Sequence, residues 1–331
     1  MGFRLKKGLR KLLELSGILH ARWRNLPNGV YVFNYHRVGD KYTTIFDRAI
    51  YSCSTKAFNN HVIAIKDNFT VINTKQLHEL SKDNQVISKR YAIITFDDGY
   101  IDNYTDAYPI LKAHNVSATF YLVTDFIDSC HIPWWDEIAY LLRNSVGQYY
   151  SLPNSSKRYD LRSQDIDKII NRIMRQAKES TILSIDDILA DIKIKFPRAQ
   201  QKLTTQQHQL FINWQQAQEM ANNGMEIGSH TMNHKILSQL DDHNQLHEIT
   251  HSKKVLEEKL KQPIYSIAYP VGRKNCYNQK TLDYTKQAGY HIGFNNIPGR
   301  NTVINDPFDL VRFCVEQDDL AIIKFNSCFQ K

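Results

Sequence analysis

Two short stretches combine residue types that could hydrolyse a substrate. The first, TFDDG at 95–99, ends the apolar run Tyr91–Phe96 in two adjacent carboxylates, Asp97 and Asp98, and a glycine. Like charges side by side raise the cost of ionising each other, although Asp-Asp-Gly is also a common turn sequence. The second, MEIGSHTMNHKIL, places His230 and His234 four residues apart. A helix starting at Ser229 or Thr231 would project both imidazoles from one face, within reach of one ion. Two neutral histidines and one carboxylate make a common catalytic zinc set. With one aspartate as ligand, the other is left beside the ion as a base for water, and the ion's charge relieves the paired carboxylates. His243, His247 and His251 repeat the spacing, but inside a charged helical stretch with no strand before it, which reads as solvated or structural.

Eight short apolar segments read as buried strands: Val30–Tyr35, Phe69–Ile72, Tyr91–Phe96, Ala118–Val123, Met225–Gly228, Ile264–Tyr269, His291–Phe294 and Leu310–Val315. Helical patterns lie between many of them, at Phe58–Lys66, Tyr104–His114, Trp214–Asn222, Asp241–Leu260 and Thr281–Ala288, the last followed by Gly289 as a C-cap. Strands alternating with helices imply an α/β fold with a mostly parallel sheet. Seven or eight units favour a distorted (β/α)7-8-type barrel over an open doubly wound sheet. Functional groups then belong at the C-terminal ends of strands, where Asp97 and His230 fall. Residues of about 125–213 lose the strand rhythm and read as a mostly helical insertion in a single catalytic domain of 25–331.

TFDDG at 95–99 and HTMNH at 230–234 resemble the first two motifs of the polysaccharide deacetylases, the NodB-homology or carbohydrate esterase family 4 domain. YHRV at 35–38, FNNHV at 58–62, YPILKAHNVSATFYLV at 108–123 and AYPVGR at 268–273 are similar to the permuted subgroup with an N-terminal YH motif. The resemblance implies removal of an N-acetyl group from an amino sugar. Asp97 resembles the general base, and Asp98, His230 and His234 the ligands of one divalent ion, expected to be zinc. The backbone N–H of Val271 resembles the oxyanion donor, with Tyr269 a further substrate-side candidate. The family's third motif usually reads Arg-x-Pro-Tyr; here Ala268 and Val271 stand at the arginine and tyrosine positions. The residue that orients Asp97 therefore stays open among Arg273, Arg300 and Arg312. The usual C-terminal Leu-x-His is absent from DLVRFCVEQDD, so the resemblance leaves His36 of the YH motif as general acid. A deformylase or O-deacetylase with the same centre, or a non-catalytic glycan-binding protein on this fold, is the alternative.

The chain has 331 residues and a net charge of +8. Residues 1–24 carry seven basic residues against Glu14 alone, hence six of those eight charges. A nucleic-acid binder would more typically spread a basic face over its body. Leu5, Leu9, Leu12, Leu13, Leu15 and Leu19 fall on one arc of a helix and Arg4, Lys6, Lys7, Arg10 and Lys11 on the other, with Phe3 and Ile18 off the pattern. This is the pattern of a helix that docks on an anionic membrane surface. Five scattered cysteines without a C-x-x-C favour a reducing compartment. The resulting expectation is a cytoplasmic protein, peripheral on the inner face of a bacterial inner membrane. Its substrate would be a glycan or glycolipid, such as a lipid-linked precursor of surface polysaccharide.

Overall fold

The computed structural model describes residues 3–82, 86–145, 147–162, 165–179, 184–204 and 209–329; the side chains of residues 3–7 lie outside the described residues. The chain separates into two compact units, one of Met1–Gly39, Tyr51–Ser129 and Phe211–Lys331, the other of Asp40–Ile50 and Cys130–Leu210.

The first unit is built on parallel strands β1 (Gly29–Tyr35), β2 (Thr70–Val71), β3 (Arg90–Phe96), β4 (Thr119–Leu122), β5 (Glu226–Ser229), β6 (Ser266–Ala268), β7 (Ile292–Phe294) and β8 (Phe313–Cys314). The order across the sheet is β7-β6-β5-β4-β3-β1-β8, with β2 beside the start of β3. Leu310 bridges Phe294 of β7, and Phe313 and Cys314 pair with Phe33 and Asn34 of β1, so the segment 310–314 joins the two edges. The expected distorted β/α barrel is thus present, and each of the eight expected strand segments contains a strand.

Alternation along the strands sorts side chains between two layers. Val30, Val32, Ile93, Tyr121, Ala268, Phe294 and Leu310 pack together as the barrel interior. Tyr31, Phe33, Tyr35, Ile94, Phe96, Phe120, Ile267 and Tyr269 pack in a second core cluster, which also takes in residues of the surrounding helices. The helices used below are α1 (Phe3–Leu15), α2 (Ile18–Arg24), α3 (Thr55–Asn68), α4 (Asp242–Leu260) and α5 (Leu320–Phe329). The Ser54 and Asp241 side chains accept the N–H groups of Ala57 and Asn244 and so cap α3 and α4. Gly289, with φ of 82°, ends Gln279–Gln287.

Residues 3–24 are two helices rather than the one continuous helix expected, because Gly17 turns left-handed at φ 74° between them. The two also differ in burial. Leu19 and Trp23 of α2 are buried, whereas Leu12 and Leu15 of α1 are 68% and 76% exposed. Arg10 of α1 pairs with Asp319 at 3.2 Å, and Arg22 of α2 lies over the Phe329 ring of α5. The cationic arc at Arg4, Lys6 and Lys7 lies outside the described side chains. The second unit is mostly helical, with Trp134–Arg143, Ile166–Glu179, Ile185–Lys195 and Pro197–Thr204. Arg143 and Arg48 both pair with Asp167 in it.

Gly228 of β5 faces the barrel interior against the Tyr121 ring, and a Cβ there would sit 2.3 Å from that ring. Tyr121 is fully buried and donates its hydroxyl to Ser266, which limits its freedom to move aside. Gly228→Ala is expected to lower unfolding stability by about 1–3 kcal/mol through overpacking, read from the midpoint of denaturant unfolding.

Candidate active site and metal centre

The site forms where three strands end. Tyr35, Phe96 and Ser229 close β1, β3 and β5, and the residues that follow are His36, Asp97 and His230. Alternation makes each of these the next inward position after an outward one. Asn34 and Thr95 lie one inward step earlier.

Asp97 and Asp98 are both 2% exposed, and each has different partners. Asp97 accepts two parallel hydrogen bonds from Arg312, at 2.8 Å to Oδ1 and 2.9 Å to Oδ2, and a third from Asn34 Nδ2 at 2.9 Å. Asn34 Oδ1 in turn accepts from Arg312 (3.0 Å) and from Thr95 Oγ1 (2.9 Å), while Arg312 Nε donates to Asn295 O at 2.8 Å. Burial alone would push the Asp97 carboxyl up; the Arg312 guanidinium, then His230, outweigh it and hold it well below the usual carboxylate range. Of the three arginines left open by the sequence, Arg312 is therefore the one that orients Asp97. Arg300 lies at the other end of β1, packed on Gly29 and donating to Asn28 O. Arg273 is exposed, with no side-chain hydrogen bond among the described residues.

Asp98 turns out of the strand at φ 75°. Its Oδ1 faces Nε2 of His230 at 3.5 Å and Nε2 of His234 at 3.3 Å. That oxygen is buried with no hydrogen-bond donor. His230 gives its Nδ1–H to Ala268 O at 2.7 Å, which turns the Nε2 lone pair toward Asp98. Burial pushes the His230 imidazole down to about 4, so it is neutral near pH 7. Three ligand atoms of Asp98, His230 and His234 lie within 4.8 Å of one another. A buried carboxylate oxygen facing two imidazole nitrogens in this way fits a divalent cation. His243, His247 and His251 lie on α4 and are not among these ligands.

The stretch from His230 to His234 is a loop, not the helix expected from the spacing. Thr231 and His234 both have positive φ, 68° and 55°, and helical hydrogen bonds are replaced by a side chain from α4. Glu248 Oε2 accepts the N–H groups of Met232 and Asn233, each at 2.9 Å, and its Oε1 accepts from Asn233 Nδ2 at 3.2 Å. Glu248 was not singled out in the sequence, and only a hydrogen-bond demand created by the loop reveals it.

His36 is held at its backbone, its N–H donating to Ser52 Oγ (2.9 Å) and its carbonyl accepting from Asn103 Nδ2 (2.7 Å). The next residue, Arg37, pairs with buried Asp102 at 2.7 Å between the rings of Tyr51 and Tyr100. The His36 side chain makes no hydrogen bond among the described residues. Val271 has φ of 61°, an uncommon strain for a β-branched residue. Its N–H has no acceptor among the described residues. Tyr269 is not a substrate-side group. It faces outward, is fully buried, and gives its hydroxyl to Phe308 O at 2.8 Å.

Glu248→Ala is expected to weaken divalent-cation binding by about 10- to 100-fold, measured by titrating the chelator-treated protein. Glu248→Gln should retain most of the affinity, since one amide oxygen can accept both loop N–H groups.

The family model described as polysaccharide deacetylase matches residues 84–293. The chain is 25% identical over 245 residues to the Bacillus subtilis protein YxkH, named for the same family, covering 74% of this chain and 58% of that protein. It is 26% identical over 103 residues to the poly-beta-1,6-N-acetyl-D-glucosamine N-deacetylase of Escherichia coli K12, covering 31% of this chain and 15% of the relative. The chain thus spans little over half of the first relative and a small part of the second. Among solved structures, IcaB from Ammonifex degensii is similar with a TM-score of 0.58 at 14% identity, covering 92% and 98% of the two chains. The Streptococcus pyogenes deacetylase PplD matches with a TM-score of 0.55 at 20% identity, covering 88% and 93%; both likenesses speak to the fold. With the matched segment running through TFDDG and HTMNH, the chain belongs to the polysaccharide deacetylase family.

Proposed function

We propose that this protein is a metal-dependent hydrolase that removes an N-acetyl group from an amino sugar, in the manner of the family's permuted, YH-containing members. The carrying observation is the split in the adjacent pair: Asp97 is clamped by Arg312, while Asp98 faces two imidazoles with a bare oxygen. Asp98, His230 and His234 would hold the ion, with zinc favoured by the His₂–carboxylate set. When bound, the ion supplies Lewis acidity to water and to the substrate carbonyl. Asp97 stays ionised and fixed in direction, ready to take the proton of the attacking water. Val271 offers its unpaired N–H to the developing oxyanion. His36, free at its ring and fixed at its backbone, protonates the leaving amine.

Arg312 also weakens the reading as a retired, purely glycan-binding fold. The third motif lacks its arginine, yet Arg312, in the stretch leading into β8, clamps Asp97 in its place. The substrate named in the E. coli relative is a polymer of N-acetylglucosamine, which supports an N-acetylated amino sugar here. We place the reaction on a lipid-linked precursor of bacterial surface polysaccharide, at the inner face of the inner membrane. The exposed Leu12 and Leu15 of α1 and the five scattered cysteines, with no C-x-x-C, support that setting.

His36→Ala should keep its metal while turnover falls by about 10²–10⁴-fold; unchanged turnover would remove His36 from the reaction. Mass spectrometry of lipid-linked glycans with and without the protein should show loss of an acetyl group, and loss of a formyl group instead would reassign the acyl substrate.

A further inference from the structure

Away from the barrel mouth, α2, α3 and α5 enclose an open groove of about 500 Å³. We infer that this groove seats the phosphate headgroup of an anionic membrane lipid. The inference rests on the membrane setting proposed above and names the site that reads the lipid.

Three basic residues line the groove: His20 and Arg24 from α2, and Lys324 from α5. His20 and Arg24 are one turn apart, so they share a helix flank. None of the three side chains makes a hydrogen bond or ion pair among the described residues, and the one acid in the lining is Asp67 of α3. Buried Trp23 and half-exposed Ile63 supply apolar wall. The volume falls in the range of small-ligand sites. The planar fork of an arginine beside an ammonium group suits a phosphate.

What selects a lipid over a soluble phosphate is the neighbouring surface. Ile18, two residues before His20, is 47% exposed, and Leu9, Leu12 and Leu15 continue the apolar exposure along α1. Exposed leucines on α1, the helix preceding α2, together with the groove's cations match the two levels of a membrane interface, acyl chain and headgroup phosphate. A soluble ligand would use the cations and leave the leucines unexplained.

The test is co-sedimentation of the full chain with phosphatidylcholine vesicles, with and without phosphatidylglycerol. Three proteins are compared: wild type, Arg24→Gln/Lys324→Gln and Leu12→Gln/Leu15→Gln, with circular dichroism and thermal midpoints verifying that each folds. The wild type should prefer phosphatidylglycerol vesicles. The charge variant should bind them on the order of thirtyfold more weakly, as expected for two cations lost from an anionic surface. The leucine variant should lose binding to both vesicle types. If the charge variant binds as tightly as wild type, the groove assignment falls and the membrane setting stands. If the wild type binds neither vesicle, both fall. If inorganic phosphate in free solution binds as tightly as the vesicles do, the lipid assignment is overturned.

Discussion

The ion pair between Asp97 and Arg312 is the constraint around which the barrel is arranged. A carboxylate that is 2% exposed has lost nearly all its hydration, and the guanidinium facing it is fully buried. Removing one member of such a pair typically costs 3–5 kcal/mol, because the other is left charged and dry. The pair is tolerable because its geometry is complete: two parallel N–H···O bonds, Asn34 on the remaining side, and Asn295 O taking the Arg312 Nε–H. Those partners come from β1, β3, the residues after β7 and the stretch leading into β8. The segment that joins the sheet edges is thus the one that delivers the counter-charge.

Much of this arrangement was legible in the sequence, for physical reasons. Parallel strands covered on both faces read as continuous apolar runs, and the two residues that break such runs at 97 and 98 stand out against them. His230 was separable from the other histidines because a strand precedes it. The orienting residue was not legible, since three arginines are equivalent until the chain closes and only one comes inward. Glu248 was hidden for a related reason. It is one of several acids on a charged helix, and what distinguishes it is a demand for acceptors made by a loop in another part of the chain. The expected helix after Ser229 failed because spacing of four is compatible with either a helix or a tight loop. The left-handed residues Thr231 and His234 belong to the loop.

Backbone strain is concentrated where the chemistry would occur. The positive-φ residues other than glycine include Asp98, Thr231, His234 and Val271, and the two β-branched members of the whole set, Thr231 and Val271, are both here. Left-handed conformations of this kind cost on the order of 1–3 kcal/mol each and persist only where the surroundings over-determine them. The surroundings are visible: Glu248 grips the residues after Thr231, and the Gly272–Asn296 hydrogen bond at 2.8 Å holds the turn after Val271. Strain of this kind aims the Val271 N–H away from local acceptors, the state that an oxyanion donor needs before substrate arrives.

Charge bookkeeping explains why two acids are useful where one would bind an ion. With Asp97 neutralised by Arg312 and the His230 imidazole uncharged, the Asp98 carboxylate has no cationic side chain clamped to it as Asp97 has. A divalent cation beside Asp98 would more than offset that single carboxylate charge and leave a positive field at the site. A neutral amide gains little from that field, whereas the anionic tetrahedral centre gains much, which is the differential stabilisation that accelerates a reaction. Were Asp97 unpaired, its charge would cancel the field at the place where it matters. Arg312 would therefore let Asp97, as the proposed base, stand next to an ion without spoiling the ion's effect. It also makes Asp97 a weak base, which would suit a proton from water made more acidic by a cation held at Asp98, His230 and His234.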